Sequence, residues 1–129
     1  MPNDCWNHLT ITSHNDPSEL NTLIHNEFMV LQDNKYTYSD HVNSIKRGPR
    51  GIYITVWSRW NPDFIWLEGL IAKYPSCWIK NEWDEEGGSA GVWIGCIKDN
   101  IPTIKQLEWD DICLEGKYAY FTEDAPACV

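Results

Sequence analysis

Polar and apolar positions along this 129-residue chain change period several times. In WNHLTITS, residues 6–13, Leu9 and Ile11 alternate with His8, Thr10 and Thr12. That is the two-residue period of a half-buried strand, and the β-branched content favours the same reading. HNDPSEL then opens a helix. Asp16 is the N-cap, Pro17 takes the first helical position and Glu19 falls where a capping box wants it, with Leu20, Leu23, Ile24 and Phe28 on one stripe.

Residues 29–51 carry little period. Polar side chains dominate from Gln32 to Asn43, a short strand fits YTY, and KRGPRG (46–51) reads as a solvated loop or hairpin tip because Gly and Pro interrupt any ladder. GIYITVW (51–57) is again a strand, with Ile52, Ile54 and Val56 on one face and Tyr53, Thr55 and Trp57 on the other. A second helix is predicted with Asn61 as cap and Pro62 at its first position. Phe64, Leu67, Ile71 and Tyr74 share a face before Pro75 stops it.

CWIKNEW (77–83), the turn DEEGGSAG and GVWIGCI (91–97) predict a β-hairpin, with Gly87 and Gly88 suited to positive φ. After Pro102 the segment IKQLEWDDICLEG fits a short helix or a strand, and KYAYF (117–121) reads as an edge strand. Strands interleaved with two capped helices predict a single α+β domain. The natural candidate is a ferredoxin-like sandwich, a mainly antiparallel sheet with two helices packed on one face.

Two blocks of the chain resemble one family. MPNDCWNHLTIT resembles the MPN-x-C-x-N-x-L-x-I-x opening of the YubB-like proteins of phages and conjugative plasmids, which have a ferredoxin-like domain. TVWSRWNPDFIWLEGLIAKYPSCWIKNEWDEEGGSAGVWIG is similar to that family's strand, W-S-x-P, helix, Y-P, strand, acidic E-x-G turn and Gly-containing strand. Two departures stand out. Asp4 replaces the family's usual Trp before the first Cys, with the ring moved to Trp6, and Arg-Trp-Asn separates Ser58 from Pro62. The resemblance implies a fold and a viral or mobile-element origin, and brings no catalytic residue with it.

Composition narrows the function classes. Eight tryptophans and 43% apolar residues predict an aromatic core within one domain. No basic and apolar run follows Met1, and no apolar stretch approaches the roughly 20 residues of a membrane span. A soluble protein of the host cytosol is therefore expected, without membrane contact. Five scattered cysteines with no C-x-x-C pair suit free thiols in a reducing compartment. Cys5-x-x-His8 is half of a zinc pattern without its other half, so neither a metal nor a cofactor is expected.

The net charge of −9 is unevenly placed: residues 76–129 carry four Lys and eleven acidic groups, whereas 41–59 carry Lys46, Arg47, Arg50 and Arg59 and no acid. This balance argues against bulk electrostatic binding to nucleic acid. Scattered histidines and the lack of nucleophile or phosphate-cradle motifs argue against an enzyme. Trp57 and Trp66 are read as packing the strand against the second helix, while Trp60, in the connection beside Arg59, has no periodic partner. Two binding readings remain. The first is a non-enzymatic interaction protein meeting a host or viral protein through its sheet edge or its acidic face at Asp84, Glu85 and Glu86. The second is a binder of single-stranded nucleic acid or nucleotides through Trp60, Arg59 and the basic loop of Lys46, Arg47 and Arg50, by stacking and phosphate contact.

Overall fold

The computed structural model describes residues 4–13, 15–59 and 62–108. The first strand, β1 (Asp4–Thr12), buries Cys5, Asn7, Leu9 and Ile11 and turns Trp6, His8, Thr10 and Thr12 the other way. Helix α1 (Pro17–Phe28) follows with the predicted cap, since the Asp16 carboxylate accepts from Glu19 N. Glu19 does not complete the capping box. Its Oε1 accepts from Ser76 N at 2.7 Å, and Ser13 Oγ lies 2.9 Å from Ser76 Oγ. These bonds tie the start of α1 to the segment that follows the second helix.

The stretch that carried no period in the sequence holds three strands. β2 (Met29–Gln32) and β3 (Lys35–Tyr38) form a separate two-stranded hairpin, and β4 (Val42–Arg47) leads through a tight tip into β5 (Gly51–Arg59). The basic segment is thus only partly a loop: Lys46 and Arg47 lie in the ladder opposite Tyr53 and Ile52. Helix α2 (Phe64–Lys73) is capped by Asp63, whose Oδ1 accepts from Trp66 N at 3.0 Å. This moves the start from the predicted Asn61, which lies outside the described residues, and leaves Pro62 ahead of the cap.

The predicted hairpin is present as β6 (Trp78–Glu85) and β7 (Ala90–Lys98), with positive φ at Gly88 in the turn. The described part of the ambiguous segment, residues 104–108, belongs to a strand, β8 (Ile101–Glu108), and the rest of it lies outside the described residues. The predicted edge strand at 117–121 lies outside the described residues. Among the described residues six strands form one sheet in the order β4-β5-β1-β6-β7-β8, and each neighbouring pair is antiparallel.

The fold is therefore α+β, a mostly antiparallel sheet with two helices. Leu9, Ile11, Ile52, Ile54 and Ile79 from the strands meet Leu20, Leu23, Ile24 and Phe28 of α1 and Leu67, Leu70 and Ile71 of α2 in one core. Each such side chain contributes about 1.5–3 kcal/mol when fully buried. Both helices share this core with the same face of the sheet, so among the described residues no helix covers the other face of β5, β1 and β6. That open face positions the candidate site.

Candidate functional site

Strand alternation puts Tyr53, Thr55, Trp57 and Arg59 of β5, Trp6, His8 and Thr10 of β1, and Lys80, Glu82 and Asp84 of β6 on the open face. Register then fixes who stands beside whom. Trp6 lies directly between Trp57 on one neighbour and Asp84 on the other, and Asp4 lies opposite Arg59. This corrects the reading of Trp57 as a core residue. Its inward neighbours Ile52, Ile54 and Val56 face the helices, so a residue one step on faces away. Trp66, in contrast, does pack against the core, edge-on to Phe28 with centroids 5.7 Å apart.

Trp57 is held in place from several sides. Its Nε1 donates to Asp4 Oδ1 at 2.8 Å, the Arg59 guanidinium lies 5.7 Å from its ring centroid, and His41 stacks on it at 6.3 Å with planes 8° apart. His8, in the middle of the face, stacks on Tyr53 at 6.5 Å, its Nδ1 is 3.3 Å from both Thr55 Oγ1 and Tyr53 Oη, and its Nε2 is 3.6 Å from Asp84 Oδ1. Trp6 remains 38% exposed, a large ring in water with aromatic and charged neighbours.

The acidic turn is contiguous with this patch. Glu86 N donates to Asp4 O at 3.0 Å, Glu85 Oε1 accepts from Gly87 N at 3.1 Å, and Asp84 and Glu86 are exposed. Arg59 therefore belongs to the same end of the sheet as Asp84, Glu85 and Glu86. The basic tip lies at the opposite end of β5, about 25 Å away at the rise of an extended strand. There Arg47 donates to Gly51 O at 3.1 Å, to Gly48 O and to Asn21 Oδ1, which occupies its guanidinium within its own hairpin and α1. Lys46 and Arg50 are exposed. Trp60 lies outside the described residues.

The structure thus divides the residues expected to form a basic site and joins one of them to the acidic turn. Trp6, His8 and Tyr53 were missed, although the signal was present: alternation sets Trp6 on the polar face of β1. As chemistry, the patch offers rings, donors and carboxylates for binding. Burial raises the Cys5 thiol above its ordinary value, with Asp84 and Glu85 adding to the effect, so it is a poor nucleophile beneath the patch. Among the described residues no group of three or more His, Cys, Asp or Glu side chains is arranged to hold a metal ion. Comparison of the chain with protein families, with curated proteins and with solved structures finds no match.

Proposed function

We propose that this chain is a small non-enzymatic interaction protein that binds another protein at the acidic end of its open sheet face. The observation that carries the reading is Trp6, exposed and set between Trp57 and Asp84, with Arg59, Glu85 and Glu86 around it. Protein-binding hot spots have this anatomy: Trp, Tyr and Arg at the centre and a polar rim that excludes water. The excess of carboxylates selects a partner with a basic surface and speeds its approach.

The same proposal takes the fold to be ferredoxin-like at its centre. Taken in chain order, β1-α1-β4-β5-α2-β6 is a split βαβ pair, and the spatial order β4-β5-β1-β6 interleaves the two units as that arrangement requires. On this reading β7 and β8 extend the sheet and β2–β3 is an insertion. Together with the two sequence blocks it supports membership of the YubB-like phage and plasmid proteins. Action in a host cytosol is consistent with the buried free thiols of Cys5 and Cys77.

A second reading, single-stranded nucleic-acid binding, is favoured by one observation. Lys46 stands opposite Tyr53 at one side of the open face and Lys80 stands opposite Thr10 at the other, so exposed rings and cations share it. The net charge of −9 and the engagement of Arg47 and Arg59 weigh against it. One titration separates the two. Labelled single-stranded DNA and RNA at physiological ionic strength should give no saturable anisotropy change. A saturable change, falling with salt at a log–log slope of about −0.7 per phosphate contact and lost in Trp6→Ala, would install the second reading.

A further inference from the structure

Trp6 and Trp57 stand side by side on the open face, and their surroundings differ in one respect. Trp57 has a carboxylate at its edge and a cation over its ring. Asp4 Oδ1 accepts from its Nε1 at 2.8 Å, and the Arg59 guanidinium lies 5.7 Å from the ring centroid. Arg59 is also the ladder partner of Asp4, so register alone brings ring, carboxylate and guanidinium together.

Trp6 has the carboxylate without the cation. Asp84 is its direct neighbour on β6, and residues so paired hold their Cβ atoms about 4.5–5.5 Å apart. The Asp84 side chain is 63% exposed and meets His8 Nε2 through Oδ1 at 3.6 Å. The bond from Glu86 N to Asp4 O carries Glu86 alongside β1, exposed and without an ion pair among the described residues. Trp6 itself is 38% exposed. Among the described residues no ring stacks on it and no Lys or Arg lies over it. Ring and carboxylate thus both reach solvent, where a partner can meet them together.

We propose that Trp6 and Asp84 receive an arginine side chain of the partner protein, its guanidinium stacked on the indole and paired with the carboxylate, with Glu86 adding negative charge at the rim. Such a receptor rests on the reading of the open face as a protein-docking surface, and it specifies the side chain that this surface selects. A guanidinium is planar, stacks on indole and is less strongly hydrated than an ammonium, so it loses less on leaving water for a flat, half-open site. It also presents two parallel donors to one carboxylate. The face has no walls, so one arginine alone binds weakly and the rest of the contact supplies the affinity.

The test follows the Trp6 indole N–H and the Asp84 backbone amide of the ¹⁵N-labelled full chain by NMR during titration with millimolar acetyl-Gly-Arg-Gly-amide. Acetyl-Gly-Lys-Gly-amide and the neutral isostere acetyl-Gly-citrulline-Gly-amide, at matched ionic strength, are the comparisons. Saturable shifts at both groups are expected with the arginine peptide, and binding weaker by roughly threefold or more with the other two. Asp84→Asn should weaken arginine binding by roughly threefold. Glu68→Gln removes the same charge from an exposed position on α2 and should leave binding unchanged. Trp6→Leu, read at the Asp84 amide, keeps an apolar side chain on the face and should also weaken binding by roughly threefold. Shifts that grow linearly with concentration, equal binding of the lysine or citrulline peptide, or equal weakening by Asp84→Asn and Glu68→Gln would overturn the proposal. Docking is read separately: capture of a partner that still depends on Trp6, with no selectivity for arginine, refutes the receptor and leaves the docking surface standing.

Discussion

Trp6 and Trp57 stand directly opposite one another on β1 and β5, on the side of the sheet that neither helix covers. Only Trp57 is pinned, through Asp4 and the Arg59 guanidinium, while Trp6 is left 38% exposed. A cross-strand pair of this kind contributes about 0.2–1 kcal/mol. Trp6→Ala should therefore shift the urea midpoint only slightly, with an unchanged m-value. A loss above about 3 kcal/mol would mean that the ring serves the fold.

The asparagine pair beneath α1 and α2 should behave as a unit. Asn7→Leu strands the Asn81 amide group and should cost about 2 kcal/mol, because a buried donor loses its acceptor. Adding Asn81→Leu removes the stranded group, so the double variant should be less destabilised than the sum of the singles by at least about 0.5 kcal/mol. Strict additivity in a denaturant double-mutant cycle would contradict the network.

Gly95 tests packing on the inner face of β7. A Cβ built there would lie 2.9 Å from Trp93 Cζ2 and Cζ3, and Trp93 is 1% exposed. The indole cannot move away without displacing the core, so Gly95→Ala should cost about 1–3 kcal/mol and alter the near-ultraviolet tryptophan spectrum. A variant with wild-type stability and spectrum would show that the ring has room to give.

Much of this framework is legible in the residues, and the gaps have physical causes. Asp16-Pro17 and the stripe from Leu20 to Phe28 define α1, and the alternations around Leu9 and Ile54 define β1 and β5, because in each case one face is buried. The strands β2 and β3 gave no alternation because almost every residue in them is exposed. Their signal was the turn instead: Asp33-Asn34 and Asp99-Asn100 both take positive φ, in tight two-residue hairpin connections that this pair of residues favours. At Asn-Pro-Asp, residues 61–63, two good caps flank one proline, and the hydrogen bond from Trp66 N to Asp63 resolves what composition leaves open. In the site, the acidic turn was readable as a charge run. Its union with Trp6, Trp57 and Arg59 was not, because it depends on β1 lying between β5 and β6.

Alkaline pH should destabilise the fold through Cys77. Burial pushes its thiol from 9.0 up to about 11, with the Glu19 carboxylate adding to the shift. The folded value lies above the unfolded one, so the contribution is whole below pH 9 and is lost as pH rises from 9 towards 11, where the unfolded chain gives up its proton first. The loss is on the order of 2 kcal/mol. Urea midpoints between pH 8 and 10.5 should fall more steeply for the wild type than for Cys77→Ala, and parallel curves would contradict the assignment. Below pH 8, thiol reagents should label Cys5, Cys77 and Cys96 slowly until the chain is unfolded.

The claim that the open face around Trp6 docks a protein is tested most directly by quantitative affinity capture. Tagged wild type, Trp6→Ala and the charge-reversed Asp84→Lys/Glu86→Lys variant would be compared in nuclease-treated lysate of cells that express the protein. The account predicts a protein that the wild type retains after nuclease, and that both variants lose at least tenfold while keeping wild-type thermal unfolding, as expected for a hot spot of about 2 kcal/mol or more. Capture that is equal across the three proteins, or that disappears with nuclease, would contradict it.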